Sequence, residues 1–334
     1  MSRLFGLQQA VAFFMLQLAL VYAKSFRMFK SRRPSHSYAK GSTSSGPKTA
    51  GFGGSLPRGL IYKQGYISIK EKEEILKYLN TLYPIWEMRY SKNNPPPANQ
   101  KQRPLLRPVY WLGNWQFACL NYYHPPKGIL NRCVTGEQYP PVLEYIVQKI
   151  EALVKESFEP RDIPRGWHLN TCLINYYGNS LKDGKKVDCA RVGEHKDFEP
   201  GPVASISFGE RALFQFVSSR GTESKSNVVL QQWLDDRSLQ IFGGDRFKKN
   251  LFHRVQRVDR KEGHSFPLNE INDFDTRRIN FTFRYVPDEH IVPFSRLSAE
   301  AQEDVHGYME KLATHSEFFK GQLATTPAAT TSDL

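Results

Sequence analysis

Short apolar segments separated by turn residues are the feature of this sequence that most restricts its fold. Six of them follow one another from Leu169 onward, and none exceeds nine residues. Segments of this length and spacing are typical of strands in an all-β sandwich or barrel, and they are too short for ordinary helices. The sequence therefore predicts a mainly β fold of the α+β kind, with its strands at 169–177, 203–208, 212–217, 239–243, 251–258 and 278–286.

Helical periodicity flanks the strand-rich part of the chain. Apolar residues recur every three or four positions over 71–82 and 140–158, and the second stretch begins with two prolines, which suit a first helical turn. A closing helix is predicted at 297–319. The organisation has four parts, which are a basic extension (1–55), N-terminal helices with an aromatic and basic segment (56–165), the strand-rich core (166–296), and the closing helix with a disordered tail (297–334).

Positive charge is concentrated in the N-terminal extension. The formal net charge is +13, and eleven basic residues lie in residues 1–70, which contain no Asp or Glu. The apolar stretch 10–23 is too short for a comfortable membrane span, so no integral membrane role is expected. It fits a secretory signal, an organellar presequence, or a protein that begins at Met28. The sequence leaves these open, and we expect an intracellular location, in the cytoplasm, the nucleus or an organelle.

The last predicted strand carries an unusual set of polar residues. Strand alternation puts Arg278, Asn280, Thr282 and Arg284 on one face and apolar side chains on the other. Two arginines on the polar face are ordinarily solvated charges of a surface strand. The short hydrogen-bonding residues between them instead favour the lumen of a barrel that binds a dicarboxylate or a similar anion.

A candidate metal site lies upstream of this strand. In His195-Lys196-Asp197, the imidazole and the carboxylate are two positions apart, so both can face one ion. Such pairs arise easily by chance, but this one precedes the much rarer arginine motif. His253, in a strand-like segment, fits as a third ligand. Two histidines and one carboxylate form the facial triad of non-heme Fe(II) oxygenases.

Together these motifs resemble the AlkB-type Fe(II)/2-oxoglutarate-dependent dioxygenases, a family that repairs alkylated nucleic acids. The resemblance runs in order from about Leu105 to Val286, and it implies a double-stranded β-helix (jelly roll) core with an N-terminal nucleotide-recognition lid. Further similar segments are NTCLINYY at 170–177, PVASISFG at 202–209, LFQF at 213–216 and IFGGD at 241–245.

The resemblance also implies roles for individual residues. Fe(II), 2-oxoglutarate and O₂ are expected as metal, cosubstrate and oxidant. The expected iron ligands are His195, Asp197 and His253. The expected 2-oxoglutarate site consists of Arg278 at the distal carboxylate, helped by Tyr177, Asn175 and Asn280, with Arg284 near the carboxylate that chelates iron. Glu199 matches an acidic position that faces the target base in similar members.

Residues 88–136 are the strongest sign of a nucleic-acid substrate. This segment has no acidic residue, and it interleaves positive charges, which follow phosphates, with aromatic rings, which stack on extruded bases. We expect it to form the lid, with Trp111 or Trp115 as the stacking residue and Tyr122 in contact with substrate; the competing interpretation is that the aromatics are core residues. The seven basic residues of 88–136 are Arg89, Lys92, Lys101, Arg103, Arg107, Lys127 and Arg132.

A second basic run, 246–261, fits either phosphate contacts or a solvated face.

The predicted function is oxidative demethylation of N-alkylated bases in DNA or RNA, with release of formaldehyde, succinate and CO₂. Two alternatives remain, a hydroxylase of the same chemistry acting on a protein or small molecule, and a non-catalytic nucleic-acid-binding module. The complete triad and both arginines favour an enzyme. We expect a monomer without a stable protein partner.

Overall fold

The fold is described from a computed structural model of the chain. The structure describes residues 56–120, 122, 133–182, 184–221, 227–256, 266, 271 and 273–325. The predicted extension 1–55, residues 123–132 of the acid-free segment, the end of the basic run (257–261) and residues 326–334 of the predicted tail lie outside these ranges.

Within the described residues the core is a large antiparallel sheet. Its strands are β1 (Leu60–Lys63), β2 (Val109–Leu112), β5 (Thr171–Lys182), β6 (Lys185–Asp188), β8 (Val203–Gly209), β11 (Ser238–Phe242) and β13 (Phe274–Arg284). The strand order is β1-β11-β8-β13-β5-β2, and β6 pairs with the end of β5. The central strand β13 is paired with β8 on one side and with β5 on the other.

A smaller antiparallel sheet faces part of the large one, in the order β10-β9-β12-β7. Phe214 and Phe216 of the small sheet contact Phe242 of the large sheet, with ring centroids 6.0 and 5.5 Å apart. Two facing antiparallel sheets confirm the predicted mainly β, jelly-roll class. The small sheet consists of β7 (Val192–His195), β9 (Ala212–Val217), β10 (Val228–Leu234) and β12 (Phe252–Gln256), and a separate ladder joins β3 (Asn114–Trp115), β4 (Cys133–Thr135) and β14 (Ile291–Val292).

Four helices flank the sheets in the described part of the chain: α1 (Ile69–Leu79), α2 (Pro141–Ser157), α3 (Ala299–Ala313) and α4 (Glu317–Ala324). A reciprocal capping box between Ser68 and Glu71 begins α1. The apolar stripe of α2 lies in the same core as Phe281 and Phe283 of β13. None of the helices in the described part of the chain combines the length and the hydrophobicity that a membrane span requires.

Several boundaries differ from the sequence predictions. The closing helix is broken, because Ser316 caps a new helix by accepting a hydrogen bond from the Phe319 amide, and that helix runs into the predicted tail. No strand is predicted between 177 and 203, yet the polar stretch 182–191 contains β6. Lys182 pairs with Lys185 there, and Gly184 has a positive φ of 71° in the turn. Asp-Gly at 183–184 is a dipeptide that two-residue hairpin turns favour.

A glycine inside β5 allows the backbones of β5 and β13 to approach each other closely. Gly178 faces the bulge of β13, and a β-carbon on it would lie 1.8 Å from the Asp275 carbonyl oxygen. We expect Gly178→Ala to lower the free energy of unfolding by about 2 kcal/mol or more, since overpacking of backbone cannot relax by a rotamer change. Urea unfolding of the variant and the wild type measures this change in the free energy of unfolding.

Gly307→Ala is the matched control. Gly307 is exposed in α3, where an added methyl group would have no atom within 4 Å. Alanine should raise stability by up to about 1 kcal/mol, because it has the higher helix propensity. Equal effects of the two substitutions would contradict the packing described for β5 and β13.

Candidate metal centre

Three side chains predicted as metal ligands lie together at one end of the lumen. Donor atoms of His195, Asp197 and His253 are all within 4.8 Å of one another. Strand register brings the histidines together, since His195 at the end of β7 pairs directly with His253 in β12. Directly opposed residues on antiparallel strands have neighbouring side chains. Asp197 follows β7 by two residues and completes the cluster.

The hydrogen bonds of the cluster leave metal-binding atoms free. The Nδ1 of His195 is 2.8 Å from the Gly193 carbonyl oxygen, which fixes that nitrogen as the donor and leaves Nε2 as the ligand atom. The Nε2 of His253 is 3.3 Å from Oδ2 of Asp197, and this Oδ2 has no hydrogen-bond donor among the described residues. A buried oxygen without a donor needs another ligand. Two imidazoles and one carboxylate with such an oxygen fit Fe(II).

Arg284 fixes the charge of this centre. Its Nε donates to Oδ1 of Asp197 at 2.9 Å. Burial alone would raise the pKa of Asp197, but the charge of the Arg284 guanidinium brings it below its ordinary value. Burial lowers the pKa of both His195 and His253. The carboxylate is therefore ionised and the imidazoles are neutral, as metal binding requires.

A second part of the lumen is built to receive an anion. Arg278 of β13 is buried, its Nη2 donates to Ser207 at 3.0 Å, and its Nε has no acceptor among the described residues. Its guanidinium carbon is 4.8 Å from the centre of the Tyr177 ring, and that of Arg107 is 5.1 Å from the same ring. Arg107 also donates to Asn175 at 2.6 Å. Two guanidiniums around one ring form a cationic pocket suited to a carboxylate.

Asn280 lies between the two arginines of β13 and contacts protein groups. Its Nδ2 donates to Ser205 Oγ at 2.7 Å and to the Ile206 carbonyl at 3.0 Å, and its Oδ1 accepts from Thr282 at 2.9 Å. These bonds tie β13 to β8 inside the lumen. A direct role of Asn280 toward the cosubstrate stays a prediction.

Glu199 lies beside Arg284, the arginine that binds Asp197. It is 2% exposed, Gln116 donates to its Oε1 at 3.0 Å, and its Oε2 is 3.7 Å from Arg284 Nε without a hydrogen bond. Tyr122 is buried, and its ring is 5.6 Å from that of Phe198, the residue that precedes Glu199. Roles of Glu199 and Tyr122 in substrate binding stay predictions.

Both tryptophans predicted to stack on a base are core residues, so that prediction is wrong. Trp111 and Trp115 are each 1% exposed. Trp111 donates its indole proton to Glu87 at 2.8 Å, while Trp115 stacks on Phe117 with ring centroids 4.8 Å apart. Aromatic residues that alternate with basic ones occur in core strands as well as in lids. For Trp111 and Trp115, the competing interpretation as core residues is correct.

Fewer basic side chains of the acid-free segment 88–136 are available at the surface than its sequence suggests. Lys92 pairs with Glu303 of α3 at 2.7 Å, and Arg107 belongs to the anion pocket. Lys101 and Arg103 are exposed. Because residues 123–132 lie outside the described ranges, the lid itself stays a prediction.

Sequence reasoning missed three residues that line the site. Arg107, Ser207 and Gln116 come from three separate segments, and no spacing relates them to the metal motif. Arg107 stands out only as one of several basic residues. Ser207 alternates into the lumen of β8 and was identifiable once that strand was assigned.

Comparison with known proteins finds a family model, a relative and a solved structure that are similar to this chain. A family model of the 2OG-Fe(II) oxygenase superfamily matches residues 59–284. The chain is 24% identical over 155 residues to the DNA N(6)-methyladenine demethylase ALKBH1D of Arabidopsis thaliana, a match that covers 43% of this chain and 31% of that protein. The solved structure of OsALKBH1 has 17% identity and a TM-score of 0.41, covering 70% of this chain and all of that one.

The cluster predicts selective loss of metal binding. We expect His195→Ala and His253→Ala each to weaken binding of Mn(II), a redox-stable probe for an Fe(II) site, by more than about a hundredfold, since two donors cannot hold the ion as three do. Calorimetric titration of the metal-free protein measures this affinity.

His168→Ala is the control, because His168 lies outside the cluster and its Nδ1 contacts the carbonyl oxygen two residues earlier at 2.8 Å, as in His195. Its affinity should equal that of the wild type. A wild-type affinity in His195→Ala would contradict the assignment.

Proposed function

This chain belongs to the 2OG-Fe(II) oxygenase superfamily, and on that premise we propose that it removes N-linked methyl groups from bases of DNA or RNA by oxidation. It is a dioxygenase that uses Fe(II), 2-oxoglutarate and O₂. When bound, iron and 2-oxoglutarate supply oxidation of a substrate C–H bond, with release of succinate and CO₂.

His195, Asp197 and His253 hold the iron in this proposal. Arg284 keeps the Asp197 carboxylate ionised and, through the bond to Oδ1, turned so that Oδ2 faces the ion. The Gly193 carbonyl fixes the ring of His195 in the same way. Ligand orientation of this kind raises metal affinity because the side chains are ordered before binding.

Arg278 and Arg107 hold the cosubstrate. The free Nε of Arg278 and its bond to Ser207 leave the guanidinium aligned for the distal carboxylate of 2-oxoglutarate. Tyr177 and Asn175 fix the second cation, Arg107, at the same pocket. Two cations at one pocket attract the distal carboxylate more strongly than one would.

The observation that carries the choice of a nucleobase is the free oxygen of Glu199. A buried carboxylate oxygen without a donor, next to the metal centre, is suited to accept a hydrogen bond from a substrate N–H. Gln116 adds a second free acceptor, its Oε1. Neighbouring N–H groups on a planar ring are the pattern that exocyclic amines of bases offer. The similarity to a DNA N(6)-methyladenine demethylase supports the same substrate class.

Demethylation follows from C–H oxidation on such a substrate. Hydroxylation of an N-methyl group gives an N-hydroxymethyl group, whose C–N bond breaks to release formaldehyde and return the N–H form of the base. The groups around Glu199 act by orienting the methyl group toward the metal centre, which positions it for reaction.

Product release tests the proposal directly. We expect the full chain with Fe(II) and 2-oxoglutarate to release formaldehyde and succinate in equal amounts from oligonucleotides that carry methylated adenine or cytosine. His195→Ala should reduce both by more than about a thousandfold, because the metal site is lost. Single- and double-stranded DNA and RNA should be compared.

Steady succinate release that no methylated oligonucleotide stimulates, and no formaldehyde, would refute demethylation while keeping the oxygenase. That outcome would favour a hydroxylase of a protein or small molecule.

The anion pocket predicts a specific kinetic defect. Arg278→Gln should raise the KM for 2-oxoglutarate by about tenfold or more, since a charge-assisted hydrogen bond contributes about 1.5–3 kcal/mol. Succinate release at varied 2-oxoglutarate measures KM.

Arg254→Gln removes an equal charge from β12, where Arg254 binds Glu194 at 2.9 Å and Gln215 at 2.9 Å, away from the pocket. This control should keep the wild-type KM. Equal KM values for the two variants would refute the assignment of Arg278.

A further inference from the structure

A buried glutamate outside the metal centre and the anion pocket has no part in the reaction described above. Glu87 is 1% exposed, and its main chain is fixed, because its carbonyl oxygen accepts from the Leu105 amide at 2.8 Å. Burial raises the pKa of Glu87 to about 7, so the ionised side chain is costly at this position. Buried carboxylates of this kind occur often at functional sites.

Both oxygens of this carboxylate accept hydrogen bonds from groups that can only donate. The Trp111 indole nitrogen donates to Oε1 at 2.8 Å, and the Ala118 amide donates to Oε2 at 2.8 Å. An ionised carboxylate presents one acceptor to each donor, whereas a glutamine would direct its NH₂ group at one of them. The arrangement therefore favours a charged side chain at position 87.

The bond from Ala118 fixes the part of the chain that carries Gln116. Ala118 begins a short 3₁₀ turn, Ala118–Leu120, and amides at the start of a helical turn have no partner within it. Glu87 supplies that partner two residues after Gln116. Gln116 in turn donates to Oε1 of Glu199 at 3.0 Å, and both of these side chains are buried. Glu87 therefore holds the main chain from which Gln116 reaches Glu199.

The bond from Trp111 leads to Glu199 by a second set of contacts. The Trp111 ring meets the Tyr122 ring edge to face, with centroids 5.3 Å apart. The Tyr122 ring is 5.6 Å from that of Phe198, which precedes Glu199 in the chain. Close-packed side chains transmit a displacement because there are few voids to absorb it. Glu87 is thus connected to Glu199 by two separate routes.

We propose that Glu87 is a positioning residue whose carboxylate orients Glu199 for binding of the methylated base. This inference rests on the proposed function, in which Glu199 accepts a hydrogen bond from the base. Because Glu87 is buried, it acts through its neighbours and not by touching the substrate. Its two donors, Trp111 and Ala118, belong to neither the metal centre nor the anion pocket. A defect confined to the nucleic-acid substrate is therefore expected when Glu87 is changed.

Glu87→Gln tests the inference with a side chain of almost the same size. We expect it to raise the KM for a methylated oligonucleotide by about tenfold, because one of the two donors loses its acceptor and the route to Glu199 is disturbed. The KM for 2-oxoglutarate and the affinity for Mn(II) should stay within about twofold of the wild type. Formaldehyde release by the full-chain enzyme measures the first KM, and succinate release measures the second.

A double-mutant cycle shows whether Glu87 acts through Glu199. Glu199→Met removes the acceptor to which both routes lead, and it should itself raise the oligonucleotide KM. In that background Glu87→Gln should add less than about a twofold further rise, because residues that act through each other have non-additive effects. A double variant whose rise equals the product of the two single rises would overturn the inference.

Two further variants separate positioning from general damage to the core. Glu151→Gln is the matched control, because Glu151 of α2 also accepts from a backbone amide, that of Leu169 at 2.7 Å, and α2 carries none of the site residues. It should keep the wild-type KM for both substrates. Glu87→Asp keeps the charge on a side chain too short to reach both donors, so it should also raise the oligonucleotide KM. Thermal unfolding shows which variants are folded.

A wild-type oligonucleotide KM in folded Glu87→Gln and Glu87→Asp would overturn the inference, as would an equal rise in the KM for 2-oxoglutarate. Failure of both variants to fold, with Glu151→Gln folded, would make Glu87 a structural residue and would also overturn it. Those results leave the proposed function intact, because the wild type still demethylates oligonucleotides. Wild-type protein that oxidises 2-oxoglutarate but demethylates no oligonucleotide refutes the proposed function, and the inference falls with it.

Discussion

The burial of two arginines on the central strand of the sheet is the constraint on which the rest of the structure depends. β13 is covered on both faces, so Arg278 and Arg284 are 3% and 5% exposed, while Phe281 and Phe283 fill the opposite face. A buried guanidinium is tolerated only with partners. Arg284 has the Asp197 carboxylate as its partner, which ties the large sheet to the metal centre. Removing either member would leave an uncompensated charge inside the lumen.

The two ends of the lumen differ in how their side chains are held. At the anion pocket, Arg278, Tyr177 and Ser207 all stand on paired strands of one sheet, so their positions follow from strand register. Glu199 and Lys248, in contrast, are on connecting segments between strands. Groups on strands are positioned more rigidly than groups on loops. The anion pocket is therefore the more rigid part of the lumen, and the segments that carry Glu199 and Lys248 are the less rigid part.

The sequence was sufficient for those parts of the fold that depend on local periodicity. Alternation along 278–286 predicted both faces of β13, and the stripe of α2 matches its buried residues. The His195, Asp197 and His253 cluster was predictable because its motif is short and rare in combination. Strands β1 and β2 were missed, since each has only four residues and gains its stability from the neighbouring strands of the sheet, not from its own pattern.

Charge counted along the sequence did not predict charge presented in space. Lys92 is neutralised by Glu303, more than 200 residues away, and Arg107 turns inward to the anion pocket. Among the seven basic residues of 88–136, Lys92 and Arg107 had the same weight in the prediction as the exposed residues. Lys248, in contrast, lies in a run that is typical of a solvated face, yet its ammonium is buried. A single charge has little effect in water and a large one in a desolvated pocket. The electrostatics of the site therefore depend more on the few charges inside the lumen than on the net charge of the chain.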